Sequence, residues 1–314
     1  MSFTISVCLL SGHLADLEVS PAQSVLELMI QASKTLGRPL KSLAYQGRRL
    51  LRGESVKELG LEDGSVVNAL VRQPGSVLCG HRKCGAFACL KIDGAVATWG
   101  HPDCLDNHPQ HENLNAQQLY ASSSAFAAIT DQGEVVAWGD PAGGGDCQDV
   151  ADQLRFVQNV YASQGAFAAV RTDGTVVCWG SSRCGGDASS VQAMLTNIQV
   201  IVSTHRAFAA LRSDGTVVTW GHSQCGGDSN AVQNHLTHVQ EVYATETAFA
   251  ALRTTGEVVT WGDEHCGGDA RAVQEKLHNV SEIFASNKAF AALKKDGTVV
   301  TWGKALGANK SMLK

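Results

Sequence analysis

The chain has 314 residues and a net charge of −5, and at about 150 residues per domain this length suggests two domains. Hydrophobic residues make up 44% and charged residues 18%, which excludes a disordered tail protein or a collagen-like fibre. No run of basic residues suits duplex nucleic acid, and no apolar stretch approaches the roughly 18 to 20 residues of a membrane span. We therefore expect a soluble protein of the cytoplasm or nucleus, with neither nucleic acid nor membrane as a partner.

Residues 1–73 contain a short, ordered series of predicted elements. A hairpin-like start with Ser11-Gly12 at its turn leads to a helical segment, SVLELMIQASKTLG, that begins at Ser24. The extended segments that follow the helix are 42–45, 46–50 and 65–72. Pro74-Gly75-Ser76 then forms a short joint, where we place the domain boundary.

The rest of the chain, residues 77–314, is built from an internal repeat. The dipeptide Trp-Gly recurs at a nearly constant spacing, and each Trp follows the Phe of an Ala-Phe-Ala element at the same offset, as Trp99 follows Phe87. The tryptophans are Trp99, Trp138, Trp179, Trp220, Trp261 and Trp302. The whole chain has 25 basic and 30 acidic side chains, and residues 1–73 contain 8 of the basic and 7 of the acidic ones. The excess of acidic side chains therefore lies in the repeats.

Each repeat is predicted to contain three strands and a short helix. In residues 239–262 the strand signals are 242–244, 248–252 and 257–261. Asp-Gly or Thr-Gly before the third strand predicts a two-residue hairpin, in which glycine supplies the positive φ. A Gly-Gly-Asp and a helical pattern follow the Trp, and the aspartates are expected to be N-caps. These aspartates are Asp187, Asp228 and Asp269.

The repeat pattern favours radial packing of the sheets. Both faces of the strands are apolar or small, so each sheet must be covered on both sides. We expect a mainly-β propeller of about six repeats, with Trp and Phe filling the wedge between neighbours. A linear β-solenoid also satisfies the pattern. The imperfect first repeat and the short last one leave open whether six units close a ring.

The repeat resembles that of a known superfamily. Ala-Phe-Ala-Ala-Leu, Asp-Gly, Val-Val-Thr-Trp-Gly and Gly-Gly-Asp resemble the β-propeller repeat of the regulator of chromosome condensation family, over residues 77–303. The repeat length is closer to that of the β-lactamase inhibitor protein II branch. The family's Asn-x-x-Gly-Gln-Leu-Gly is replaced by x-x-x-Cys-Gly-Gly-Asp. The resemblance implies a rigid binding platform.

Residues 1–73 resemble ubiquitin and ubiquitin-like β-grasp domains, which implies a small α+β fold. The hydrophobic recognition patch of that family would fall on Leu10, Ala44 and Leu70, with Arg48 beside it. Ala44 is smaller than the usual residue, so the patch is shallower. The segment lacks a terminal Gly-Gly, and we expect no conjugation to target proteins.

Cysteine and histidine positions suggest packing rather than metal chemistry. The cysteines that occupy a common repeat position after the Trp are Cys104, Cys184, Cys225 and Cys266. We expect them to be small buried hydrophobes, without disulfides. His101, Cys104, His108 and His111 could hold zinc or copper, but their spacing matches no standard site, and we favour a solvated loop. We therefore expect no metal and no cofactor.

Catalytic motifs are missing: the sequence has no G-x-S-x-G, no phosphate loop and no H-E-x-x-H. Two short windows vary between copies, one directly before Ala-Phe-Ala and one directly after Trp-Gly. If the ring closes, each window forms a rim, which is either neutral solvated loop or a surface that binds a partner. The candidate binding residues are His101, Asp103, Arg183, His205, Arg206, His222, Gln224, Asp263, Glu264 and His265.

Our leading hypothesis is a non-enzymatic scaffold or adaptor in a eukaryotic cell. It would link a partner on the propeller to ubiquitin-pathway machinery, such as a ubiquitin receptor or a proteasome-related protein. One alternative is a component of the HECT-type ubiquitin ligases that carry chromosome-condensation repeats, although no HECT-like segment follows Trp302. Another is an exchange factor for a small GTPase, and a third is an inhibitor like the lactamase-binding propeller.

Overall fold

The computed structural model describes residues 2–9, 14–36, 40–46, 48–50, 54–71, 77–80, 85–91, 94–100 and 114–304. They form a small α+β domain followed by a series of three-stranded sheets.

The N-terminal domain contains one helix and a five-stranded mixed sheet. Its elements are β1 (Phe3–Leu9), β2 (Leu14–Val19), α1 (Val25–Leu36), β3 (Leu40–Tyr45), β4 (Arg48–Arg49) and β5 (Val66–Val71). The strand order is β2-β1-β5-β3-β4, with β1 parallel to β5 and the other pairs antiparallel. The predicted order of helix and strands is confirmed.

The core of this domain is formed by strand residues that alternate between the two sides of the sheet. Ile5 and Val7 of β1 are fully buried, as is Val67 of β5, because every second residue of a strand faces the same side. Helix α1 packs its apolar stripe on that side through residues such as Leu28. The helix begins with a capping box, in which the amide of Glu27 donates to Ser24 Oγ at 3.2 Å and the amide of Ser24 donates to the Glu27 carboxylate at 2.7 Å.

The rest of the described chain forms six antiparallel sheets, which we number 1 to 6 in chain order. Each has a first, a middle and a last strand, in that spatial order, as the sequence predicts. Sheet 1 is Val77–Gly80, Phe87–Leu90 and Val96–Trp99; sheet 2 is Ala116–Ala121, Ala125–Thr130 and Val135–Gly139; sheet 3 is Val157–Ala162, Ala166–Arg171 and Val176–Gly180. Sheet 4 is Ile198–Ser203, Ala207–Arg212 and Val217–Gly221; sheet 5 is Val239–Ala244, Ala248–Arg253 and Val258–Gly262; sheet 6 is Val280–Ala285, Ala289–Lys294 and Val299–Gly303.

The hairpin between the middle and last strands has a three-residue loop, so the prediction of a two-residue loop is wrong. In sheet 3 the amide of Arg171 donates to the carbonyl of Thr175 at 2.9 Å, which leaves Thr172, Asp173 and Gly174 between them. Gly174 has φ +77° and supplies the expected positive φ at the end of this loop. The side chain of Asp173 accepts from the amide of Thr175 at 3.0 Å and holds the turn.

The predicted short helix is replaced by 3₁₀ turns. One set follows the Trp-Gly dipeptides, at Pro141–Gly143, Ser182–Cys184, Ser223–Cys225 and Glu264–Cys266. The other set lies in the connections to the next sheet, at Gln148–Gln153, Gln192–Met194, Gln233–His235 and Gln274–Lys276. Asp187, Asp228 and Asp269 are therefore not helix caps. Each accepts a hydrogen bond from the amide two residues later and so closes a local turn in place of a helix start.

Neighbouring sheets pack through two unlike faces. In sheet 4, the face toward the next sheet consists of small and aliphatic side chains, such as Ala207, Ala209 and Leu211. We call this the leading face. In sheet 5, the face toward sheet 4 carries Phe249 and Trp261, and we call it the trailing face. The same pairing joins sheets 1 and 2, 2 and 3, 3 and 4, and 5 and 6, so the expected wedge of Phe and Trp is confirmed.

A hydrogen bond and a ring stack fix the aromatic pairs of sheets 3 to 6 in place. Phe249 and Trp261 are stacked, with ring centroids 5.2 Å apart and an interplanar angle of 24°. The indole Nε1 of Trp261 donates to the carbonyl of Gly226 in the preceding repeat at 3.0 Å. Equivalent bonds of 3.0 Å join Trp179 to Gly144, Trp220 to Gly185 and Trp302 to Gly267.

The residue whose carbonyl accepts this bond has to be a glycine. Gly226 has φ +88°, and a Cβ atom at this position would lie 2.5 Å from Cδ2 of Phe249. Both the backbone conformation and the close approach of the ring exclude a side chain.

In sheets 2 to 5, a buried hydroxyl ties the loop before the middle strand to the turn after the last strand. Thr204 Oγ1 donates to the carbonyl of Cys225 at 2.9 Å and accepts from the amide of Ala207 at 3.1 Å. Ser122, Ser163 and Thr245 make the same bond to the carbonyls of Gly143, Cys184 and Cys266. Removing the hydroxyl would leave a buried carbonyl without this partner.

We predict that Gly226→Ala destabilises the protein more than Gly297→Ala. Both glycines have positive φ, so alanine costs about 1–2 kcal/mol at either position. A Cβ at Gly297 meets no atom within 4 Å, whereas one at Gly226 overlaps Phe249, which adds roughly 1–3 kcal/mol. Urea denaturation of the two variants measures the difference, and equal losses would contradict this account of the junction.

We also predict that Thr204→Val lowers the free energy of unfolding by about 1–3 kcal/mol, because a buried carbonyl and amide lose their shared partner. Thr254→Val is the matched control: Thr254 is exposed in a hairpin, and its replacement should change stability by less than about 0.5 kcal/mol. Thermal or urea unfolding compares the pair. Similar stability of both variants would show that the hydroxyl bridge does not support the loop.

Candidate functional site

The two variable windows of the repeat lie at the same edge of each sheet. We call the residues before the middle strand the inner loop and those after the last strand the outer loop. The amide of Asp263 in an outer loop donates to the carbonyl of Thr247 in the inner loop of the same repeat at 3.0 Å. His222 and Arg206 form the same bond at 2.9 Å. The windows therefore form one surface, which we call the loop face, and not two separate rims.

The middle residues of the inner loops of sheets 2 to 6 lie along one shared cavity, which we call the central cavity. The amide of Gln164 donates to the carbonyl of His205 at 2.8 Å, and His205 donates in the same way to Glu246 at 2.8 Å. The series continues at both ends, from Ser123 to Gln164 and from Glu246 to Asn287, each at 2.9 Å. The inner loops of sheets 2 to 6 line a polar cavity of about 790 Å³. Neighbouring loops are thus held at fixed positions around it.

In sheets 2 to 5, the first residue of the inner loop does not belong to a variable surface. These residues are Ser122, Ser163, Thr204 and Thr245, and the equivalent residue in sheet 6 is Ser286. The first four are buried hydroxyls that form the bridge described above, so packing restricts them to Ser or Thr. The second and third residues of the inner loop are therefore the ones that are free to vary.

Most of the predicted contact residues are exposed on the loop face. The exposed ones are Arg183, His205, Arg206, Gln224, Glu264 and His265. Among them, Arg206 Nε lies 3.5 Å from Gln164 Oε1, and His265 Nε2 lies 3.7 Å from Glu264 Oε1. Both charge signs occur side by side, so the face suits a polar partner of mixed charge better than a polyanion.

Two predicted contact residues have partly structural roles. The carboxylate of Asp263 accepts from the amide of His265 at 2.9 Å and from Thr247 Oγ1 at 3.3 Å, so it caps the 3₁₀ turn. His222 is half-buried, and within the described part of the chain its Nδ1 has no hydrogen-bond partner. His101 and Asp103 lie outside the described residues.

The repeated cysteines lie beneath the loop face and pack as small apolar side chains. Cys225 and Cys266 are buried, and Cys184 is half-buried, as expected. Burial raises the pKa of the Cys225 thiol, which keeps it protonated near neutral pH. In the described part of the chain, no cluster of three or more His, Cys, Asp or Glu could hold a metal ion. Cys104, His108 and His111 lie outside that part.

The predicted patch of the N-terminal domain is only partly described. Ala44 is half-buried on β3, opposite Arg49 of β4 and Asn68 of β5. Arg48 is exposed at the start of β4 and forms an ion pair with Glu54. Leu10 and the side chain of Leu70 lie outside what the structure describes.

Sequence reasoning missed part of the loop face. Gln164, Glu246 and Asn287 line the central cavity beside His205, but only His205 was singled out. They occupy the same position in the inner loops of successive repeats, and this register is the signal that could have found them. None of the helices that the structure describes is long and apolar enough to cross a membrane.

Comparisons with known proteins identify the N-terminal domain. Residues 3–74 match the ubiquitin family. A solved ubiquitin of Caldiarchaeum subterraneum is 25% identical, with a TM-score of 0.23, and the match covers 24% of this chain and 99% of that one. No curated protein sequence gives a significant match.

A second solved structure matches a larger share of the chain. It is the entire ectodomain of the Physcomitrella patens receptor kinase CR4, with 17% identity and a TM-score of 0.46. The match covers 74% of this chain, which spans only 65% of the length of that ectodomain. The protein therefore consists of an N-terminal ubiquitin-like domain followed by a region of many three-stranded β-sheets.

Proposed function

We propose that this protein is a non-enzymatic scaffold in which the sheet region holds a protein partner on its loop face. The observation that carries the proposal is that both variable windows meet at one edge of the sheets, on a framework that changes little between copies. Variable side chains on rigid supports bind with a small loss of conformational entropy. A propeller-like arrangement of the sheets would place these loops around the central cavity.

The ubiquitin-like domain supports the second half of the proposal. We propose that its sheet face, around Ala44 and Arg48, connects the bound partner to ubiquitin receptors or proteasome-related proteins. Arg48 is exposed, and Ala44 leaves a shallow surface where a larger aliphatic side chain would protrude. A shallow apolar contact implies a weak and reversible interaction, which suits delivery of a partner.

The test of the loop face is quantitative affinity purification of the full chain, followed by mass spectrometry. Arg206→Glu and Arg183→Glu reverse charges on the loop face and should reduce recovery of specific partners several-fold, because reversed rim charges repel a complementary surface. Lys295→Glu is the matched control, since it reverses an exposed charge in the hairpin at the opposite edge of sheet 6.

Recovery that falls with the two arginine variants and not with Lys295→Glu supports the loop face. Equal recovery from all three variants would exclude it as the contact surface. Circular dichroism confirms that each variant is folded before recovery is compared.

The test of the ubiquitin-like face is direct binding to a panel of isolated ubiquitin-receptor domains, measured by calorimetry or NMR titration. Ala44→Ile should strengthen binding severalfold, because it adds apolar contact area of about three methylene equivalents. Arg48→Glu should weaken binding. If the panel binds neither the full chain nor the Ala44→Ile variant, the proposed link to the ubiquitin pathway fails, while the loop-face proposal still stands.

A further inference from the structure

In the part of the chain that the structure describes, the faces at the two ends of the sheet series are exposed. In sheets 2 to 6 the Phe and Trp of the trailing face are buried, with at most 5% of either side chain exposed. In sheet 1 the equivalent Phe87 and Trp99 are 40% and 47% exposed, although they are stacked like the others, with centroids 5.8 Å apart. Trp99 is the exposed member among the six tryptophans of the protein.

The leading face of sheet 6 is uncovered in the same way. In sheet 5 the corresponding Ala248, Ala250, Leu252 and Val258 are at most 2% exposed. In sheet 6 Ala289, Ala291 and Leu293 are half-buried, Val299 is 38% exposed, and Phe284 on the adjoining first strand is 53% exposed. This face has the composition of the other leading faces and lacks only the aromatic pair that covers them.

The five junctions within the chain show what fits each of these faces. Each internal leading face is covered by a stacked Phe and Trp from the middle and last strands of the next sheet, as Phe249 and Trp261 cover sheet 4. Phe87 and Trp99 hold the same strand positions and the same stack, so sheet 1 offers the complement of the free face of sheet 6. A Phe or Trp buries roughly 150–250 Å² when it is covered, so both faces gain apolar burial from the contact.

We propose that sheet 6 of one molecule packs against sheet 1 of a second copy of this chain, in a sixth junction like the five internal ones. Among the described residues of one molecule, nothing covers either face, and every copy of this chain carries the face that matches each of them. The contact is heterologous, because unlike faces meet, so each added copy presents a new free face. Head-to-tail chains or closed rings of molecules result.

The full chain should therefore self-associate as its concentration rises. Sedimentation velocity measures the mass of the species across a concentration series. Acrylamide quenching of tryptophan fluorescence follows Trp99 in the same series, since the other five tryptophans are already buried. We expect the mass to increase and the quenchable fraction to decrease together.

Two variants test the two faces one at a time. Val299→Glu places a charge on the leading face of sheet 6, and Trp99→Glu places one on the trailing face of sheet 1. Each should raise the concentration needed for association by at least about tenfold, because an unpaired charge is costly to bury. Phe284→Glu is a second leading-face variant. Thr254→Glu, in an exposed internal hairpin, is the matched control and should associate like the unmodified chain.

Mixing the two variants gives the decisive measurement. Val299→Glu retains an intact trailing face and Trp99→Glu an intact leading face, so an equimolar mixture can form one intact junction and should stop at a heterodimer. The proposal is overturned if the full chain stays monomeric throughout the concentration series. This holds both when acrylamide quenches Trp99 and when Trp99 is protected because sheets 1 and 6 of one molecule cover each other. It is also overturned if Val299→Glu and Trp99→Glu associate like the control, or if their mixture forms no heterodimer.

Discussion

The contact between an aromatic pair and the small side chains of the preceding sheet determines most of this structure. The Phe and Trp of sheets 2 to 6 fit against an alanine-rich face because alanine leaves room for the rings. In sheets 3 to 6 an indole hydrogen bond to a glycine carbonyl also fixes their orientation. Stacked rings of this kind contribute about 0.5–1.5 kcal/mol beyond the burial of their area. Because one junction resembles the next, the inner loops of sheets 2 to 6 lie side by side along one shared cavity.

This packing separates the residues that hold the fold from those that can vary. The middle strand is alanine and phenylalanine in nearly every copy, because both of its faces are covered. The buried hydroxyl at the start of the inner loops of sheets 2 to 5 is also constrained, since it satisfies a carbonyl of the neighbouring turn. Beyond that hydroxyl, side chains such as His205 and Arg206 in an inner loop and Gln224 in an outer loop are exposed. The variable side chains of both windows are thus brought together at one edge of the sheets, and this is the physical basis of the binding role proposed for that edge.

Packing through two unlike faces also makes the two ends of the sheet series different from each other. In an open series of sheets whose two faces differ, one face of the first sheet and one face of the last sheet stay free, so such a series needs terminal caps or a partner for those faces. Here Trp99 and Val299 lie on the uncovered faces, and each has the residue type found in the covered junctions. The ubiquitin-like domain does not depend on such junctions, because its helix covers one side of its sheet and completes a separate core.

The sequence by itself determined the division into two domains, the three strands of each repeat and the Phe and Trp at the junctions. These features depend on residue type and spacing, which are local and copied from repeat to repeat. Only the tertiary structure showed that both loop windows share one edge, that Ser122 and Thr204 are framework hydroxyls, and that 3₁₀ turns take the place of the predicted helices. Such features depend on contacts between residues that are distant along the chain or belong to neighbouring repeats, and sequence spacing does not specify the distance between their side chains. The exposed faces of sheets 1 and 6 belong to the same class, because burial is a property of the neighbours that a sheet has and not of its own sequence.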